Sequence, residues 1–212
     1  MLSVIFDMDG TLIDTQREYI RAWNHAGELC GFSNMAKHIP EIAGMTREKW
    51  GRYLLTIYPT LDVKKFVEEE DKYMAEHLVP AYMPGAKEML DFLKEKGVKM
   101  ALASGTSKPS ILKLLRAVEA TEYFGAIVSG HEVENSKPFP DVFLRAAELI
   151  GAKPEDCIVF EDSGNGVKAA YAAGMKCIGV PDVAPFTQET KKMLYKEFTS
   201  LFEAKELIKE LL

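Results

Sequence analysis

Asp7 and Asp9 are two carboxylates one residue apart at the end of a short apolar run, Leu2-Ser3-Val4-Ile5-Phe6, and Gly10 and Thr11 follow directly. If the run is a β-strand, alternation brings both carboxylates off its C-terminal end on the same side. Like charges that close raise each other's pKa unless a cation or a strong donor set compensates. A small hard cation such as Mg2+ takes oxygen ligands of this kind. Gly10 lets the backbone turn sharply or approach a ligand, and Thr11 adds a hydroxyl and an amide beside it. These residue types suit phosphate handling. The same letters also spell an ordinary solvated turn, because Asp, Gly and Thr are common there.

Other apolar runs end in equally reactive residues. Val98–Ala103 leads into Ser104-Gly105-Thr106-Ser107, and Cys157–Phe160 leads into Glu161-Asp162 and then Ser163-Gly164-Asn165-Gly166. Lys137 stands in Ser136-Lys137-Pro138-Phe139-Pro140-Asp141, just ahead of a helical pattern. Taken singly, Lys137 reads as a solvated lysine, Ser104 as a helix cap and Glu161-Asp162 as an acidic loop. Together they put four carboxylates, a hydroxyl and an ammonium at one sheet edge. The carboxylates can hold Mg2+, Ser104 can donate to a phosphoryl oxygen, and Lys137 can neutralise both phosphate and an attacking carboxylate. Phosphoryl transfer needs mainly positioning and charge stabilisation, and these residues offer both.

The elements that must position them follow from the pattern. Short apolar runs at 98–103, 126–128, 157–160 and 177–180 alternate with helical periods, as in a parallel sheet covered on both faces. Helices are expected over 85–96 with Gly97 as the cap, from Ser107 and Pro109 onward, from Pro140-Asp141 to Gly151, and over about 166–173. Between Asp14 and Val79 the helical periods 19–29, 46–57 and 62–78 run without strands, so a small helical bundle is inserted after the first strand. The expected division is a Rossmann-like core of residues 1–14 and 82–212 and an all-α cap of residues 15–81. Ligands of open parallel sheets bind beyond the carboxyl ends of the strands, and the insertion leaves from that edge.

Composition narrows the partners. The chain has 212 residues and a formal net charge of −6, which disfavours a nucleic-acid groove, and no basic run suggests a membrane surface. Cys30, Cys157 and Cys177 lack metal-type spacing and read as reduced thiols. With a strand entered almost at once and no long apolar segment, a cytoplasmic protein is expected, monomeric or a weak homodimer.

The four motifs, Asp-x-Asp-Gly-Thr, Ser104 after its apolar run, Lys-Pro-x-Pro-Asp and Glu-Asp-Ser-x-x-Gly, resemble those of the haloacid dehalogenase superfamily over essentially the whole chain. Val167-Lys168-Ala169-Ala170 and Ala172-Ala173-Gly174-Met175 are similar to the branch of β-phosphoglucomutases and small sugar phosphatases. The resemblance implies a doubly wound α/β core with a helical cap. It makes Asp7 the nucleophile that forms an aspartyl-phosphate, and Asp9 the general acid and then base. It assigns Mg2+ to Asp7, the Asp9 carbonyl and Asp162 with Glu161 assisting, and the transferring phosphoryl to Ser104 and Lys137, with Gly10, Thr11 and Gly105 around it. Family members that cleave carbon–halogen or carbon–phosphorus bonds lack the second aspartate, which this chain has.

The same resemblance bears on the substrate. Phosphonate-cleaving relatives carry an imine-forming lysine where Gly44-Met45-Thr46-Arg47 has an arginine, and a guanidinium does not form that bond. Arg47 resembles the mutase arginine that grips a second phosphate, a job its planar fork suits. The mutase's cap histidine is replaced by Tyr19, and Lys108 falls one position late for its phosphate lysine. Hydrolysis of a small phosphate monoester, a sugar or polyol phosphate, is therefore expected. A phosphosugar mutase is the alternative, and a phosphoryl-receiving domain without turnover is the second.

Overall fold

The computed structural model describes residues 2–212. Along the chain, β1 (Ser3–Phe6) is followed by α1 (Gln16–Leu29), α2 (Ile39–Ile42), α3 (Arg47–Ile57) and α4 (Val63–His77). Then come α5 (Ala86–Glu95), β2 (Lys99–Ser104), α6 (Lys108–Ala117), β3 (Ala126–Ser129), α7 (Asp141–Leu149), β4 (Cys157–Glu161) and α8 (Gly164–Ala172). The chain ends with β5 (Lys176–Gly179), α9 (Gln188–Lys191), β6 (Lys196–Glu197) and α10 (Leu201–Leu211).

All six strands are parallel, in the order β3-β2-β1-β4-β5-β6. The sheet is buried on both faces, which is why its strands are apolar without alternation. Val4 and Phe6 pack with α5, α6 and α10 on one face, and Ile5, Ala101 and Val159 with α7 and α8 on the other. β1 lies between β2 and β4, with Phe6 level with Leu102 and Phe160. The next residue of each strand therefore emerges in one row: Ala103, Asp7 and Glu161. The Asp7 amide donates to the Phe160 carbonyl at 3.0 Å, so the nucleophile candidate is fixed by the ladder itself.

Helices α1 to α4 build a separate core. Trp23 of α1 meets Trp50 of α3 and Phe66 of α4 edge-on, with ring centroids 5.0 and 5.1 Å away. Such pairs add about 0.5–1.5 kcal/mol beyond area burial. Two connections tie this bundle to the sheet and run side by side. The Asp14 amide donates to Ala81 and the Met83 amide to Leu12, both at 2.9 Å.

Several elements differ from the pattern in the sequence. Helix α8 starts at Gly164, two residues earlier than expected, because the Ser163 hydroxyl caps it by accepting from the Gly166 amide. Helix α1 begins at Gln16 rather than Tyr19, and this brings Gln16 itself to the site. The two-residue β6 is exposed at both positions and carries no apolar signal. Helix α10 has a clear one, with Leu201, Ala204 and Ile208 buried at helical spacing against α5, and it completes one face of the core.

Candidate active site

The floor of the site is the row of strand ends. Lys137, fully buried, donates to Asp7 Oδ1 at 2.5 Å, to Glu161 Oε1 at 2.6 Å and to the Ala103 carbonyl at 3.2 Å. Glu161 Oε2 in turn accepts from the Ser163 amide at 2.7 Å and its hydroxyl at 2.9 Å. Burial works to discharge Lys137, but Asp7 and Glu161 outweigh it and raise its pKa, so the ammonium stays charged.

The neighbouring carboxylates are strained by charge. Burial pushes the Asp7 carboxyl well up; Lys137 opposes this, while Glu161 and Asp9 add to it. Asp162 is raised by burial, then by Glu161 and Asp7. One ligand oxygen each from Asp7, Glu161 and Asp162 lie within 4.8 Å of one another. Three buried carboxylates against one ammonium form a hard-oxygen donor set with excess negative charge, which fits a divalent cation such as Mg2+.

Asp9 has different surroundings. Its Oδ1 accepts from the Thr15 hydroxyl at 2.8 Å, and its Oδ2 from Thr106 at 2.7 Å and Ser104 at 3.2 Å. Burial raises its pKa, and the three hydroxyls pull the other way. Its backbone carbonyl and Asp162 Oδ2 share the Gln16 side-chain amide, at 3.3 and 3.5 Å. Gly10 makes the turn that allows this. Its φ is +81°, and a Cβ there would lie 2.4 Å from Asp162 Oδ2.

The helical bundle closes the site from above. Asn165 at the start of α8 donates to the carbonyls of Glu41 and Ala43, both at 3.0 Å. Gly105 lies against the Gly44 carbonyl, which a Cβ would approach to 2.6 Å, so a side chain at 105 would hold the two walls apart. A small niche among Asp7, Asp9, Ser104, Gly105 and Asp162 opens past Gln16 into a larger cleft. The cleft encloses roughly 710 Å³, part of it open solvent, and its far wall carries Tyr19, Trp23, Arg47, Trp50 and Glu70.

The residues expected from the sequence are thus mostly brought together. Asp7, Asp9, Ser104, Gly105 and Asp162 line the niche, with Lys137 and Glu161 fully buried behind Asp7. Thr11 is not brought there. Its hydroxyl is buried without a partner among the described residues, beside a different cavity near Asp14, Arg17 and Asp182. Arg47 reaches the cleft, but its fork is already taken. It grips Asp71 through two bonds of 2.5 and 2.8 Å and lies 3.7 Å from Glu70, so it does not stand free for a second phosphate. Glu70 and Asp71 lie on α4 and meet α3 only in the folded bundle, so no spacing around Arg47 reveals them. Thr15, Gln16, Thr106 and Ser163 were also missed as site residues. Thr106 and Ser163 follow expected residues closely and were within reach of the motif reading.

A parallel sheet with a carboxylate-and-lysine cluster at the ends of its central strands, covered by inserted helices, defines the class, and comparison agrees. The chain matches the haloacid dehalogenase-like hydrolase family over residues 4–180 and belongs to it. It is 36% identical over 182 residues to a phosphorylated carbohydrates phosphatase of Thermotoga maritima, covering 84% of each chain. It is 30% identical over 195 residues to the β-phosphoglucomutase of Bacillus subtilis, covering 87% of this chain and 85% of that one. Among solved structures it is similar to CbbY of Rhodobacter sphaeroides in complex with phosphate, at 26% identity and a TM-score of 0.76 over 96% of both chains.

Proposed function

We propose that this hydrolase is a Mg2+-dependent phosphatase of small phosphate monoesters, sugar or polyol phosphates above all, working through an aspartyl-phosphate on Asp7. Residues 15–81 act as the cap over a core of residues 1–14 and 82–212. The observation that carries the reading is the contrast between the two aspartates: Asp7 is paired with a buried ammonium, while Asp9 is held only by neutral hydroxyls. The ammonium beside Asp7, joined by a divalent cation when one is bound, opposes the effect of burial and favours the ionised carboxylate needed for attack. The second, buried and without a cation in contact, favours retention of a proton for delivery.

In the first step an Asp7 oxygen bonds to phosphorus and the ester P–O bond breaks, while Asp9 gives its proton to the leaving oxygen. In the second, Asp9 takes a proton from water as that water bonds to phosphorus, and the bond between phosphorus and Asp7 breaks to release inorganic phosphate. Lys137 holds Asp7 in place and offsets charge on the phosphoryl oxygens, and Ser104 is poised to turn from Asp9 to one of them. Asp7, Asp162 and the Asp9 carbonyl would hold Mg2+, with Glu161 orienting Lys137 behind them. When bound, the ion supplies electrostatic stabilisation of the transferring group.

Mutase action needs a grip on a second phosphate. The pairing of Arg47 with Asp71, together with Tyr19 in place of a histidine, speaks for hydrolysis instead. A phosphate-release assay over a panel of metabolite phosphates tests this, with glucose 1-phosphate followed for both free phosphate and 6-phosphate product. Release should require Mg2+, stop with EDTA, and fall about 10⁴-fold or more in Asp7→Asn while the fold persists. Isomerisation without release, or an active Asp7→Asn, would overturn the proposal.

A further inference from the structure

Glu70 is used by nothing described so far. It sits on α4 with 3% of its surface exposed, lines the far wall of the cleft, and its Oε2 has no hydrogen-bond partner among the described residues. A buried carboxylate oxygen without a donor is costly, and proteins seldom leave one so. Its nearest cation, Arg47, is 3.7 Å away and committed to Asp71. The indoles of Trp23 and Trp50, which line the same cleft, are nearly buried.

The position of Glu70 relative to the niche tells what would satisfy it. Niche and cleft share Asp9, Gln16, Gly44 and Gly105, so a monoester held by its phosphate at Asp7 extends its leaving group toward α4. There the charged groups are one cation, Arg47, against two anions, Glu70 and Asp71. That balance repels a second phosphate. It does not call for a cationic substrate either, since Arg47 already stands beside Glu70. The Trp23 indole already bears on the carboxyl, so what is missing is a neutral donor to Oε2, and a sugar or polyol hydroxyl is one, with C–H faces suited to the indole walls.

We propose that Glu70 is a specificity-determining residue that accepts a hydroxyl of the leaving group and, with Asp71, excludes substrates bearing a second phosphate. The inference rests on the phosphatase reading and deepens it. It differs from the expectation built on Arg47: the cap selects through an acceptor, and its arginine serves to hold that acceptor's surroundings.

The test compares native enzyme with Glu70→Gln and Glu70→Asp on a hexose monophosphate, a hexose bisphosphate and p-nitrophenyl phosphate, with folding checked by melting temperature. In Glu70→Gln the kcat/KM ratio of hexose monophosphate to p-nitrophenyl phosphate should fall about tenfold or more, because a site built around a hydroxyl loses its partner. The ratio of bisphosphate to monophosphate should rise by about tenfold in the same variant, while Glu70→Asp keeps the exclusion and loses the hydroxyl contact. A residue that only supports the bundle would lower all three substrates together. Ratios within threefold of native, or a native preference for ethanolamine phosphate over hexose monophosphate, would overturn the proposal. Absence of phosphate release from every substrate would instead sink the phosphatase reading, and the same ratios would then be read as dissociation constants by calorimetry.

Discussion

The two walls of the cleft treat buried charge in opposite ways. On the sheet side, Lys137 is fully buried and bonded to two carboxylates and a carbonyl, and Glu161 is bonded through both oxygens. On the helical side, Glu70 is just as buried but has an oxygen left without a donor. The hydrogen bonds of Lys137 and Glu161 on the sheet wall are in place before substrate arrives, as electrostatic preorganisation requires. The helical wall is left unfinished where a leaving group is expected to fit. On the proposed reading, the first wall fixes the chemistry and the second leaves room for selection.

The largest test of that contrast is removal of the sheet wall's cation. Lys137→Met would leave Asp7, Glu161 and Asp162 together in low dielectric with no cation beside them. Breaking a buried ion pair from one side costs about 3–5 kcal/mol, and urea denaturation in EDTA at neutral pH should show a loss of that size. Added Mg2+ should return part of it, because a ligand that binds only the folded state stabilises it by mass action. A loss under about 1 kcal/mol would mean that the cluster is not held by Lys137. Arg47→Met should cost far less, since the Arg47–Asp71 pair is about half exposed on both sides.

The same contrast explains what could be read from the sequence. The sheet wall was legible because its carboxylates and hydroxyl come directly from strand ends, Asp7 from β1, Ser104 at the end of β2, Glu161 and Asp162 from β4, while Lys137, in the loop before α7, stands in the Lys-Pro-x-Pro-Asp motif. Parallel strands in register deliver their next residues to one row, so local pattern is enough. The helical wall is different. Arg47 on α3 and Glu70 and Asp71 on α4 meet through bundle packing, which a periodicity of 3.6 orients but does not register. The Thr11 hydroxyl lies away from the niche for a related reason: the tight turn at Gly10 places it beside the cavity of Asp14, Arg17 and Asp182. Helix α10 was an omission, since Leu201, Ala204 and Ile208 carry an ordinary amphipathic signal.

A smaller effect sharpens the helical half of the comparison. Burial raises the Glu70 carboxyl from an ordinary 4.5 to about 7, against the Arg47 charge and the Trp23 indole, with Asp71 adding to the rise. Between these values the folded chain holds a proton that the unfolded chain has lost, so stability contributed by this group falls as pH rises from 4.5 to 7 and is flat above. Glu70→Gln removes that slope. The variant should be more stable than native at pH 8, by at most about 3 kcal/mol from the size of the shift, and should lose the advantage by pH 4.5. Urea midpoints across this range check it. An identical pH dependence in both proteins would show that Glu70 is not held in a desolvated site.

The smallest effect concerns how the walls meet. Asn165 links α8 to the bundle through the carbonyls of Glu41 and Ala43, and those bonds hold the bundle against the sheet side of the site. Each is worth about 1 kcal/mol net. Asn165→Ala should therefore shift the balance toward an open form and lower kcat/KM by about tenfold at most, with the urea midpoint nearly unchanged because neither core is touched. Asn165→Asp should do worse, since its carboxylate would face two carbonyl oxygens with no proton to offer. If both variants keep native kcat/KM, closure is held by the Gly44–Gly105 contact, and Gly105→Ala, whose Cβ would meet the Gly44 carbonyl at 2.6 Å, becomes the change that separates the two walls.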